Sequence, residues 1–448
     1  MATRIIPGVS VQVLREIVPP LPSPSGVLGL VGVADVVPDR LTPVDSFTRF
    51  LEVFGPASSF SMPEVRQAFQ NGIAEVVISP VAGGSAGTAN LVDASNGTVA
   101  TLTARANGPW SRNITVNVVQ RGTPATAVDV TVSLGDVQES FRNLVGGEIA
   151  GALNLGSALV SATAGASTGL PAPGTVTLSA GNQPTASDYT TALDRLELDP
   201  GIDMVAASIQ DPGATGFGLD TINAAIEAHC RTQSEGAASR IGFGTIAPGD
   251  NDDPDAIVGK ASTLASERFV LVAPHGILGA VIGLIGNLDY FASPTFKRLS
   301  GVTDLEFDYA PADMNSLIEG GVLVVGKQRN RGVVVIKGID TTGATGQISV
   351  TRVADHAVRG VKALADLFIG TLNTSDGRIA LREKLTEFFL EMQREQAIVP
   401  STDGSEPAFK VDVYSTQRDF ALGIVRVDIA VRPVRAMDFI NATILVQV

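Results

Sequence analysis

At 448 residues the chain is too long for one hydrophobic core, and about two to four domains are expected. Its net charge of −14 disfavours a general nucleic-acid binder while leaving room for a local basic patch, and the lone Cys230 excludes an intrachain disulfide and a cysteine-rich metal site. Charged residues make up 17% against 44% apolar, below the roughly 25% charged of a typical soluble protein, as for a subunit that hides much of its surface in an assembly.

The N-terminal residues carry no basic region followed by an apolar stretch, so no secretory leader is expected there. Val9, Val11 and Val13 alternate with polar residues and predict a short strand. Pro19, Pro20, Pro22 and Pro24 follow, a stiff linker rising about 3.1 Å per residue. Residues 26–37 predict a buried strand. Ser46 is placed to cap a helix bearing Phe47, Phe50, Leu51 and Phe54, which Gly55 and Pro56 end. A second helix is expected over 63–71, and then a strand over 74–81.

From residue 82 to about 188 the chain is rich in Gly, Ala, Thr, Ser and Val, and short alternating segments predict antiparallel strands. ESFRNLV at 139–145 is expected as the main helix in this stretch, and Trp110 as a pin for a loop or core edge. From Tyr189 helices and strands alternate again, which predicts a layered α/β domain. Ile222, Ala225, Ile226 and His229 are expected on one helix face. The acidic 249–255 loop lacks calcium-loop spacing. Phe269–Leu288 is apolar but interrupted by Pro274, His275 and glycines, so no membrane span is read there.

A helix over 313–318 and strands over 322–325 and 332–336 come next. The segment ISVTRV is read apart from a helix that starts at Ala354. The strongest amphipathic pattern covers 378–396, with Leu381, Leu385, Phe388, Phe389 and Met392 as its stripe and Ser375 as its cap. Val425, Val427, Ile429 and Val431 alternate with Arg426, Asp428, Ala430 and Arg432, a strand with one buried face. A last alternating run contains Ile444, Val446 and Val448. Two such apolar ends need sheet partners, within this chain or in a neighbour.

No phosphate loop, dinucleotide fingerprint, zinc-binding helix or nucleophile elbow is present. His229, His275 and His356 are far apart in sequence. Only His275, directly after a strand, sits where an α/β fold holds ligands. No catalytic, cofactor-binding or metal residue is assigned.

Several segments, in order, resemble contractile tail sheath proteins of bacteriophages and related contractile injection systems. Pro7-Gly8-Val9-Ser10-Val11 is similar to that family's early segment. The Gly29–Ala34 run, Pro43-Val44-Asp45-Ser46-Phe47 and Phe54-Gly55 follow its next pattern. Asn71-Gly72 before Glu75-Val76-Val77-Ile78 resembles its helix-to-strand turn; Asn315-Ser316-Leu317 with Gly320-Gly321-Val322 and the helix over 378–396 fall where the family has counterparts. The family's arginine- and tryptophan-bearing segment is replaced here by Val322–Val335 with Lys327, Arg329 and Arg331.

The resemblance implies a multi-domain α/β core with an inserted β-rich domain, and terminal strands donated to neighbouring subunits. The expected division is an arm and linker over 1–25, core over 26–81, insert over 82–188, core over 189–310 and a C-terminal domain over 311–448. Val9, Val11, Val13, Ile444, Val446 and Val448 would be the exchanged strands, and Pro19, Pro20, Pro22 and Pro24 the linker. The implied role is a subunit of stacked hexameric rings around an inner tube, whose contraction drives the tube through an envelope without nucleotide hydrolysis. Implied partners are further copies of the chain, the tube protein, and baseplate and tail terminator proteins, with no direct nucleic-acid contact, no membrane insertion and no cofactor. The implied location is a virion tail assembled in the bacterial host cytoplasm. A non-phage injection system, an unrelated shell or fibre subunit, and an α/β enzyme with a β insert stay open.

Overall fold

The computed structural model describes residues 26–438. The first unit runs β1 (Val27–Gly32), β2 (Thr42–Val44), α1 (Phe47–Phe54), α2 (Ser58–Ser61), α3 (Pro63–Gln70) and β3 (Glu75–Pro80). Ser46 caps α1, its side chain accepting from the Arg49 amide, and Gly55 ends it at φ +83°, a backbone conformation that favours glycine. Both expectations hold.

Between Pro80 and Ala186 the chain makes its excursion. Strands β4 (Thr88–Val92), β5 (Thr98–Ala104), β6 (Thr115–Gly122), β7 (Ala125–Leu134) and β8 (Val137–Leu144) lead to α4 (Ile149–Gly156). β9 (Val160–Ala164) and β10 (Gly174–Thr177) lead back. They form a three-stranded sheet, β4-β5-β9, and a four-stranded sheet, β10-β6-β7-β8, all antiparallel. Ser85 donates to the Asn182 carbonyl at 2.8 Å, so the entry and exit of this unit run side by side.

The helix expected at 139–145 is absent. Residues 139–144 belong to β8, with Val145 just past its end, and the helix lies further on, at α4. The apolar residues of the segment are too sparse to commit it to a helix stripe. Pairing with β7 therefore decides its state, with Phe141 opposite Val130 and Glu139 opposite Val132.

The main layer resumes with α5 (Ala186–Asp194), β11 (Met204–Ala207), α6 (Leu219–Glu235), β12 (Ile241–Thr245), α7 (Pro254–Leu264) and β13 (Phe269–Ala273). It continues through α8 (Leu278–Asn287), α9 (Pro311–Glu319), β14 (Val322–Gln328) and β15 (Gly332–Val335). The eight-stranded sheet has the order β15-β14-β13-β12-β11-β1-β3-β2. Its six inner strands are parallel, and β2 and β15 pair antiparallel at the two edges. The segment from Pro311, expected to open the last domain, thus adds a helix and two strands to this sheet.

Both faces are covered, which explains the near-continuous apolar strands. Leu28, Leu30, Val76, Ile78, Val270 and Val272 pack with Phe50, Phe54, Val65 and Ile282 on one side. Val27, Val31, Val77, Val205, Leu271 and Val322 pack with Tyr189, Ile222, Ile226, Ile257 and Leu317 on the other. That second core runs on into the insert through Leu102, Val116, Val130 and Leu153. Trp110 marks the join: it stacks on Phe60 at 5.8 Å and 10°, and its Nε1 donates to the Ala106 carbonyl at 3.0 Å. Helices α3 and α8 meet almost backbone to backbone, because a side chain at Gly279 or Gly283 would collide with the main chain of Glu64 or Ala68.

The last layer comprises α10 (Ile348–Asp366), α11 (Ser375–Arg394), β16 (Phe409–Tyr414), α12 (Gln417–Ala421) and β17 (Arg426–Val431). ISVTRV is the first turn and a half of α10, not a separate segment. Ile348, Ser349, Thr351, Arg352 and Asp355 are all buried, so polar residues occupy its inner face and mask the helical period. The cap of α11 is Thr374, whose side chain accepts from the Gly377 amide; the expected Ser375 is the first helical residue.

Candidate assembly interface

β16 and β17 form a sheet of their own, with Phe409 opposite Val431, Val411 opposite Ile429 and Val413 opposite Val427. An isolated two-stranded hairpin is marginal in water. Here one face is supported by helices. Phe409, Val411, Ile429 and Val431 pack against a cluster containing Val353, Ala357, Phe389 and Met392. Val413, Val425 and Val427 pack with Leu364, Leu381 and Leu385. The alternation read in the sequence at 425–431 is therefore real, and its apolar side faces α10 and α11.

The other face carries Lys410, Asp412, Tyr414, Arg426, Asp428 and Ala430, and Asp412 lies directly opposite Asp428. Among the described residues no strand pairs with either outer edge of this sheet. Each edge presents backbone donors and acceptors, the feature that recruits an added strand.

The turn between the strands is built by α12. Thr416 and Asp419 make a reciprocal capping box, and Asp419 also takes a two-pronged bond from Arg426, Nε to Oδ2 and Nη2 to Oδ1, both 2.8 Å. The Arg426 guanidinium holds the Asp419 carboxyl well below the usual carboxylate range, with help from the Thr416 hydroxyl. Neither α12 nor this pair was anticipated, although Thr416-x-x-Asp419 is a capping signal in the sequence.

The six strand-exchange residues Val9, Val11, Val13, Ile444, Val446 and Val448, and the linker residues Pro19, Pro20, Pro22 and Pro24, lie outside the described residues.

The place where an α/β fold would hold a small ligand is filled by the protein itself. The sheet order reverses between β1 and β11, and ligands enter such folds beyond the carboxyl ends of those strands. There Ser61 donates to the Val33 carbonyl at 2.5 Å, Met62 packs against Gly32, and Ser208 donates to the half-buried Glu64. Burial pushes the Glu64 carboxyl up, against the pull of that hydroxyl.

The histidines do not converge. His229 Nε2 lies 2.7 Å from Arg240 Nη1, so that nitrogen is an acceptor. Nδ1 of His275 lies 2.7 Å from Glu306, and His356 stacks on Tyr290 at 3.8 Å. Among the described residues no cluster of His, Cys, Asp and Glu could hold a metal ion, and no helix is long and apolar enough to cross a membrane.

Residues 182–341 match the family described as the phage tail sheath protein central domain. They span the main layer from just before α5 to just after β15. No curated protein matches the chain. Among solved structures, the sheath tail protein from Listeria innocua superposes with a TM-score of 0.56 at 17% identity, over 92% of each chain. The helical sheath of the anti-feeding prophage in its contracted state gives 0.58 at 14% identity, over 99% of each chain. The contracted sheath complex of the extracellular contractile injection system PVC gives 0.56 at 10% identity, over 99% of this chain and 98% of that one.

Proposed function

We propose, from the premise that the chain is a protein of the tail-sheath and contractile-injection-system family, that it polymerises through exchanged strands into a contractile sheath. It is a structural, non-catalytic subunit of a contractile tail or a related injection system. Copies assemble as stacked hexameric rings around an inner tube, in contact with baseplate and terminator proteins. Contraction of the lattice drives the tube through a target envelope. Assembly takes place in the cytoplasm of the bacterium that makes the particle.

The observation that carries this reading is the β16–β17 sheet, packed on one face and, among the described residues, joined by no strand at either outer edge. The sequence supplies apolar, alternating segments at both ends of the chain that fit those edges: Val9, Val11 and Val13, and Ile444, Val446 and Val448. A neighbour's strands would pair there in the manner of strand addition. The proline-rich 19–24 segment would span the gap between subunits.

A non-phage injection system is favoured over a phage tail as the carrier. The contracted sheaths of the anti-feeding prophage and of PVC each align with 99% of this chain.

Removing residues 1–18 tests the strand-exchange reading. The truncated protein is expected to keep its melting temperature and far-ultraviolet spectrum but to form no tubes. Long tubes of normal diameter from the truncated chain would contradict it.

A further inference from the structure

One helix, α10, holds the chain both at the head of β1 and past the end of β17. At the start, the Asp203 carboxylate accepts from the Gly26 amide and from the Val27 amide, at 2.7 Å each. Arg359 of α10 lies behind it. Its Nη1 is 4.0 Å from Asp203, and its Nη2 donates to the carbonyls of Ile202, at 3.0 Å, and Ser239. Arg352, two turns earlier on α10, donates to the carbonyls of Leu288 and Asp289, at 3.1 and 3.3 Å. These two residues directly follow α8, and Gly26 lies against Gly286 of that helix, with no room for a side chain.

At the finish, Gln347, the residue that opens α10, grips the chain like a short strand. Its Oε1 accepts from the Ala436 amide at 3.1 Å. Its Nε2 donates to the Ala436 carbonyl at 3.3 Å and to Asp438 Oδ2 at 2.8 Å. Lys337 Nζ stands 3.6 Å from the same carboxylate.

Between these grips α10 supports the two-stranded sheet. Val353 and Ala357 lie in the core beneath it, and Gly360 is pressed against Phe388 of α11. Positions 347 and 359 are about 18 Å apart along a helix that rises about 1.5 Å per residue.

We propose that α10, with Gln347 at its head, is a common bracket that fixes Gly26 and Val27 at the head of β1 and residues 436–438 past β17, and ties both to the sheet read above as receiving a neighbour's strands. Asp203, Arg359 and Gln347 are positioning residues in this role. The inference rests on the strand-exchange reading for its purpose, but the bracket itself rests on contacts within one subunit. Ion pairs of this kind add little net stability over apolar packing. Their contribution here is position: they set where the head of β1 and residues 436–438 stand relative to the β16–β17 sheet.

The test is amide hydrogen exchange on the full-length, unassembled protein, followed by assembly of the same samples. Asp203→Asn is expected to speed exchange at Gly26 and Val27 by about 10-fold or more, and Gln347→Ala to do so at Ala436, the loss of a charge-assisted or buried side-chain hydrogen bond. The slowest amides of the eight-stranded sheet are expected to stay unchanged. Arg359→Lys keeps the charge but loses the fork, and provides the same readout at Gly26 and Val27 should Asp203→Asn fold poorly. Tube yield is expected to drop several-fold in each variant. Unchanged exchange at these amides would overturn the bracket, and so would loosened amides with wild-type tube yield. Failure of the wild-type protein to form tubes would instead count against the sheath reading, and the exchange data would still decide the bracket.

Discussion

Arg426 and Asp419 lock the β16–β17 hairpin at its turn: the guanidinium, at the first residue of β17, clasps a carboxylate that is only 3% exposed and that also caps α12. The sheet read as the receiving surface is therefore pre-shaped by a contact at its end, while among the described residues no strand pairs with its outer edges.

Arg426→Ala should loosen the hairpin without unfolding the molecule. Amides of β17 are expected to exchange about 10-fold faster, and tube yield to fall. The pH dependence follows in sign. Asp419 has a depressed folded-state pKa, so the lock is fully present above the ordinary carboxylate value and is lost only as pH falls through the folded value. Hairpin exchange, corrected for intrinsic rates, should be flat from pH 7 to about 4. A hairpin that loosens near pH 6 would contradict this.

Trp110 is predicted to hold the insert to the main layer. Trp110→Ala removes the stack on Phe60 and a buried indole, at a cost of about 3 kcal/mol. Limited proteolysis should then cut near 82–87 and 180–185, where the entry and exit strands run together, while the eight-stranded sheet stays protected. Equal protection of both regions in the variant would show that the insert is held by other contacts.

His229 predicts an acid weakness. Burial, and secondarily the Arg240 charge, push its pKa down to about 4. The unfolded chain then binds a proton between its ordinary value, about 6.5, and the folded value, while the native state does not. Stability should fall as pH drops through that window. His229→Gln, which can still accept from Arg240, should make the fall shallower. Denaturant midpoints at pH 7 and pH 5 measure it, and equal slopes in the two proteins would contradict the assignment.

Much of the large sheet is legible in the sequence because both of its faces are buried. Val27–Gly32, Glu75–Pro80 and Phe269–Ala273 read as apolar runs, whatever surrounds them. β8 is not legible from its own residues: at an edge with few apolar side chains, its state is set by pairing with β7 across the two-residue turn Gly135-Asp136. The start of α10 is hidden for a different reason. Arg352 and Asp355 face inward, where a periodicity argument assigns only apolar residues. Thr374 and Ser375 are neighbouring hydroxyls, and the sequence cannot choose between them as a cap.

At the candidate interface, the alternation at 425–431 is a local property and could be read directly. The clasp of Asp203 on Gly26 could not, since the two residues are 177 positions apart and nothing in the pattern of either segment refers to the other. The capping signal Thr416-x-x-Asp419 is local as well, and marks α12 without any tertiary information.

Negative-stain microscopy of the purified protein decides whether its copies build the proposed sheath. Hollow, striated cylinders with six-fold end views are the predicted result. A monodisperse monomer or dimer at every concentration and salt condition tried would contradict it.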